Sequence, residues 1–129
     1  MSRQRVMFTV TIEPEHRLMR IEVHGFWTPD TMRAYLAELG TKANALGPSG
    51  GCRRILVDMS DYPIQSQAIA EGHVRIIAHG KTEMRAMTAV VMTSALSKLQ
   101  AKRMAKLAGH ELFDDEPAAR HWLLAQPIG

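Results

Sequence analysis

From Val6 to Ile12 the chain alternates, with Val6, Phe8, Val10 and Ile12 apolar and Met7, Thr9 and Thr11 between them. A period of two predicts a strand with one packed face. Glu13-Pro14-Glu15-His16 forms a polar turn. Beyond it Met19, Ile21 and Val23 point one way, and Arg20, Glu22 and His24 the other. The two runs read as an antiparallel hairpin, dry on one side and wet on the other.

At Thr28 the period changes. Thr28-Pro29-Asp30 offers a hydroxyl cap, a proline at the first helical position and an acid in the first turn. Met32, Tyr35, Leu36, Leu39, Ala43 and Leu46 then fall on one stripe, with Arg33, Glu38 and Lys42 off it, which predicts an amphipathic helix. Gly47-Pro48-Ser49-Gly50-Gly51 stops that helix. Ile55-Leu56-Val57 is a continuous apolar run, the mark of a strand covered on both faces. A second helix is predicted over Ile64 to His79, and a second buried strand over Met87 to Met92. Ser94 caps a third helix reaching about Leu107, with Gly109 as its stop. Glu111-Leu112-Phe113 reads as a short edge strand, and Asp114-Asp115-Glu116-Pro117 opens a last helix carrying Ala119, Trp122 and Leu123. The order β-β-α-β-α-β-α-β-α predicts an α/β fold: a mixed, largely parallel sheet of four or five strands with four helices and right-handed crossovers.

Composition narrows the class without changing this picture. At 129 residues one domain is expected over the whole chain, with residues 1–4 as a loose N-terminus. Hydrophobic residues at 46% and charged residues at 22% exclude wholesale disorder. The first residues carry no apolar leader, and no run of about 18 apolar residues follows, so a cytoplasmic chain without a membrane span is expected. A single cysteine, Cys52, excludes an internal disulfide and fits a reducing compartment. A net charge of +3 is too small to call for nucleic acid. The charge is unevenly spread, however: Lys98, Lys102 and Lys106 recur every fourth residue as a basic ridge suited to weak contact with an anionic surface, or simply to solvation.

Tests for chemistry return little. The glycine-rich segment 47–51 leaves a helix and enters a strand, the reverse of a phosphate cradle. None of the six histidines forms a metal-ligand pair with another, and no metal or cofactor is called for. Cys52 stands beside Arg53 and Arg54, which would lower its pKa if it were exposed; a small buried hydrophobe is the plainer reading. Ser66 and His73 share one arc of the second helix, but seven residues span about 10 Å, too far for a direct hydrogen bond. His73 reads instead as a shielded histidine at the core edge. No catalytic residue emerges, and the chain is expected not to be an enzyme.

The hairpin ending in Gly25-Phe26-Trp27-Thr28, the central Ile55-Leu56-Val57-Asp58-Met59-Ser60, the strand Met87–Met92 and the terminal Phe113 with Ala119-Arg120-His121-Trp122-Leu123 resemble the SpoIIAA-like (STAS-like) domains. These small bacterial α/β proteins are related in fold to anti-sigma-factor antagonists and to CRAL-TRIO lipid-binding domains. In the antagonist branch a serine in an Asp-Ser-Ser-Gly turn is phosphorylated. Here the matching stretch is Asp61-Tyr62-Pro63-Ile64-Gln65-Ser66-Gln67, which keeps one serine and lacks the neighbouring acid and glycine. The resemblance thus implies a non-enzymatic domain without the usual phosphoswitch.

In an open parallel sheet, ligands gather beyond the carboxyl ends of the strands. That rule collects Phe26, Trp27, Ser60, Tyr62, Thr93 and Ser94 on one edge, with Ser66 opening the next helix. Aromatic bodies among small polar groups suit recognition. Trp27 has a competing role, because the residue before an N-cap often packs back on its helix. The expected function is a regulatory binding domain that engages a protein partner or itself, as a homodimer, through this loop edge. The alternative is a carrier of a small apolar, lipid-like ligand in a cavity under the second helix, as the CRAL-TRIO relationship implies.

Overall fold

A computed structural model describes residues 7–93 and 110–128. Five strands form one sheet in the order β1 (Phe8–Glu13), β2 (Leu18–Val23), β3 (Arg54–Asp58), β4 (Met87–Val91) and β5 (Glu111–Phe113). The β1–β2 hairpin is antiparallel, pairing Val10 with Ile21, and every later pairing is parallel. Three helices lie among the described residues: α1 (Pro29–Ala45), α2 (Gln67–Glu83) and α3 (Glu116–Ala125). The mixed sheet and the order of its elements match the sequence pattern. The helix anticipated after Ser94 lies outside the described residues, as do Ser94, Lys98, Lys102 and Lys106.

The period-two runs put Val10, Met19, Ile21, Val23, Ile55 and Val57 on one face of the sheet, beneath α1 and α2. Leu18, Leu56, Ala89 and Val91 face the other way and are covered by Ala119 and Leu123 of α3. This division is why Ile55-Leu56-Val57 shows no alternation: each face of β3 has its own helical cover. Polar ties fasten α3 as well. Arg20 donates to Glu116 at 2.6 Å, Arg120 to Glu13 at 2.8 Å, and the Arg54 guanidinium donates to the carbonyls of Leu123, Leu124 and Gln126 at the helix end.

Helix α1 starts as its sequence dictates. The Thr28 hydroxyl accepts from Thr31 N–H at 3.3 Å, Thr31 returns a bond to the Thr28 backbone, and Pro29 takes the first turn. Its stripe is narrower than predicted, because Leu36 is exposed while Met32, Tyr35 and Leu39 are buried. Helix α2 is displaced from its predicted span at both ends. It begins at Gln67, after Ser66 caps Ile69 N–H at 3.4 Å, because the Gln65 side chain just before it is committed to Gly25, Trp27 and Pro63. It runs on past Gly80 to Glu83 and ends where the Met84 and Ala86 N–H groups both donate to Gly80 O and Arg85 turns left-handed at φ +56°. Glycine acts as a turn former at Gly50, with φ +103°, where the chain leaves a short 3-10 turn for β3.

Candidate functional site

Parallel strands bring the predicted loops to one edge. Met59 N–H donates to Val91 O, Met92 N–H to Phe113 O, and the Thr93 hydroxyl to Ser60 O at 3.4 Å. The loop after β2 meets the loop after β3 through His24 and Asp61, 3.3 Å apart. Trp27 and Tyr62 arrive together, their rings crossing edge to face with centroids 5.5 Å apart.

The two rings point inward, however: Trp27 takes the role of packing back on its helix, while Tyr62, though buried, still borders the cleft at this edge. Trp27 is 1% exposed and Tyr62 8%. The reason is topological. Strand order follows chain order without reversal, so α1 and α2 lie on one face and no crevice opens between diverging crossovers. The space at the sheet end is filled by aromatic packing instead. Trp27, just ahead of the Thr28 cap, stacks back against Tyr35 of α1 at 4.8 Å, with Phe8 at 5.8 Å and His73 at 5.0 Å. Its indole N–H donates to His24 O at 2.8 Å.

Inside this cluster the Tyr62 hydroxyl and His73 Nε2 are 2.8 Å apart. Burial lowers the His73 pKa from 6.5 to about 4 and raises that of Tyr62, so the ring is neutral and the phenol donates to it. Tyr35, wholly enclosed, is raised by the same cause. The pair is a satisfied core contact with no nucleophile beside it. Ser66, the residue weighed against His73 in the sequence, is spent on capping α2. Cys52 is buried, and desolvation pushes its thiol up to about 11, outweighing the coulombic effect of Arg53 that would have lowered it. Among the described residues one group has metal-ligand spacing, Glu13, Glu15 and His16, and its Glu13 carboxylate is already held by Arg120.

The residue that sequence reasoning missed is Gln65. Buried to 8% exposure, it accepts from Trp27 N–H at 2.8 Å and donates to Gly25 O and Pro63 O, both at 2.9 Å. Gln65 therefore stitches the loop after β2 to the loop after β3 with every side-chain polar atom engaged. No local signal marks it, since its partners stand up to forty residues away. Stitching turns two side chains outward: Phe26, between the two bonded residues Gly25 and Trp27, is 61% exposed, and Ile64, between Pro63 and Gln65, is 46% exposed. Beside them opens a cleft of ≈ 380 Å³ lined by Gly25, Ser60, Asp61, Tyr62 and Pro63. Its polar wall is rigid, because Asp58 accepts from the Ser60 hydroxyl at 2.6 Å and from Ser60 N–H at 3.0 Å.

Among the described residues, the enclosed space under α2 beside Tyr35, His73 and Ile77 is ≈ 30 Å³, room for about one water. No helix among the described residues is long and apolar enough to cross a membrane.

No family model and no curated protein matches the chain. Its structure is similar to that of an uncharacterised protein of the DUF3478 family with a SpoIIAA-like fold, from Shewanella loihica. The TM-score is 0.66 at 17% identity, over 95% of this chain and 98% of that one. The chain therefore has a SpoIIAA-like fold, as the resemblance of its sequence implied.

Proposed function

We propose that the chain is a non-enzymatic binding and regulatory domain that engages a protein partner, a second copy of itself included, through the loop edge. One observation carries this reading. Of three large apolar side chains exposed among the described residues, two, Phe26 and Ile64, project from loops that Gln65 locks together. A rigid apolar pair beside a polar cleft is the anatomy of a small interface core with its rim. Pre-ordering by Gln65 spares the loops an ordering cost when a partner docks. The SpoIIAA-like fold and the absence of a reactive group in the aromatic cluster support the regulatory side of the reading.

The test is a photo-crosslinking amino acid placed at position 26 in the native cell, together with sedimentation velocity of the purified chain. A discrete crosslinked species or a concentration-dependent dimer is expected, and the pair Phe26→Ser and Ile64→Ser should abolish it. Crosslinks that survive the Ile64→Ser change, or a monomer that yields none, refute the proposal. Leu36→Ser, on a different surface, serves as the control and should change nothing at this edge.

A further inference from the structure

The two edges of the sheet differ. At one edge β5 is three residues long, carries Glu111 and runs into Asp114 and Asp115. Shortness and charge are the ordinary guards of a sheet edge against stray pairing. β1, at the opposite edge, has neither. It is six residues long and pairs with β2 residue for residue, without a bulge, and from Phe8 to Ile12 it holds no charge and no proline. Among the described residues nothing pairs with its outer side.

The direction of its free backbone groups follows from one bond. His24 N–H donates to Met7 O at 2.8 Å, and these residues stand opposite each other, one step beyond the Phe8–Val23 pair. A bond between opposed residues marks a hydrogen-bonded pair, and such pairs alternate along an antiparallel ladder. Thr9, Thr11 and Glu13 therefore bond to β2, while Phe8, Val10 and Ile12 present their N–H and C=O groups outward. The side chains of these three lie on the α1 side, where Val10 is buried but Phe8 and Ile12 are only partly covered. Thr9 and Thr11 are exposed on the other side.

We infer that β1 pairs antiparallel with β1 of a second copy, about a two-fold axis at Val10, so that one sheet runs through both chains. The occupant is a second copy because the strand is complementary to itself in this register. Val10 meets Val10, Phe8 meets Ile12 and Thr9 meets Thr11. The pairs Phe8–Ile12, Val10–Val10 and Ile12–Phe8 each exchange two backbone bonds, which engages every outward group from Phe8 to Ile12. An aromatic beside a β-branched residue, and threonine beside threonine, are favourable cross-strand neighbours. A slip of one residue would set the threonines against the apolar row, and a slip of two would leave only two bonded pairs between these residues. Glu13 falls opposite Met7, so no like charges meet. The axis points the two loop edges in opposite directions and leaves both open, so this pairing does not rest on the partner-binding edge.

Sedimentation velocity of the whole chain over a wide concentration range tests this. A monomer–dimer equilibrium is expected. Thr9→Lys with Thr11→Lys sets like charges in opposition and should weaken the dimer about tenfold. Thr9→Lys with Thr11→Glu in one chain sets opposite charges in opposition and should keep or tighten it. Both positions are exposed, so each variant should melt within a few degrees of the native chain. A monomer at every concentration, a dimer indifferent to the double lysine change, or equal weakening by both variants overturns the inference. So does a dimer that Phe26→Ser with Ile64→Ser abolishes and the double lysine change spares, because the contact would then belong to the loop edge. The reverse pattern supports the β1 pairing, and the crosslink at position 26 still judges the loop edge by itself.

Discussion

Acidification should unfold this protein through two histidines, and His73 provides the sharper experiment. Burial holds His73 and His110 at about 4, against 6.5 for the free side chain. Between those values the unfolded chain binds a proton that the folded chain refuses. Stability is therefore complete above pH 6.5 and falls as pH drops toward 4, by about 1.4 kcal/mol per unit for each group. By pH 4.5 each histidine has removed about 2.5 kcal/mol, a large share of the roughly 5–15 kcal/mol typical of a domain. His73 alone cannot be replaced cleanly, since the Tyr62 hydroxyl would be left buried without its acceptor at about 1–3 kcal/mol. Replacing both, Tyr62→Phe with His73→Leu, removes donor and acceptor together and should cost under about 1 kcal/mol at pH 7. Urea unfolding followed by tryptophan fluorescence at pH 7 and pH 4.5 gives the comparison. The native protein should lose about 5 kcal/mol across that interval and the double variant about half as much, with His110 still titrating. Carboxylates such as Glu13, which the Arg120 hydrogen bond holds below its usual range, contribute equally to both proteins and cancel. Equal losses in the two proteins would show that His73 is not the buried neutral ring described, and would sink the argument.

Two further outcomes follow from burial. Trp27→Ala should destabilise by about 3–5 kcal/mol, whereas Phe26→Ala, one residue away but exposed, should stay within about 0.5 kcal/mol in the same urea titration; comparable losses would mean that the rings were assigned to the wrong sides. Cys52, with its thiol near 11 and its side chain enclosed, should react with iodoacetamide at pH 8 about a hundredfold more slowly in the folded protein than in urea. Rapid labelling of the native chain would contradict that enclosure.

The elements of this fold were legible where the physics is local. Alternation at Val6–Ile12 and Met19–Val23 marks the hairpin because a one-residue shift would turn every apolar side chain to water. Thr28-Pro29 marks the start of α1 because the cap is made by residues three apart. The short apolar runs at Ile55 and Met87, separated by helical stretches, are enough to imply parallel pairing, since parallel strands need a crossover between them.

Orientation and boundaries were not legible, because they depend on partners far along the chain. Whether Trp27 faces in or out is settled by Tyr35, Tyr62 and His73, which close over it, and by Gln65, thirty-eight residues on, which accepts its backbone N–H. An aromatic residue beside an N-cap reads the same in either case. The exposure of Leu36 depends on the gap between two helices. Residue types and their spacing specify which segments become strands and helices, since those bonds close within a few residues or along a regular ladder. Which surfaces remain open for a partner is a property of how the segments fill space against one another, and that is decided only when distant side chains meet.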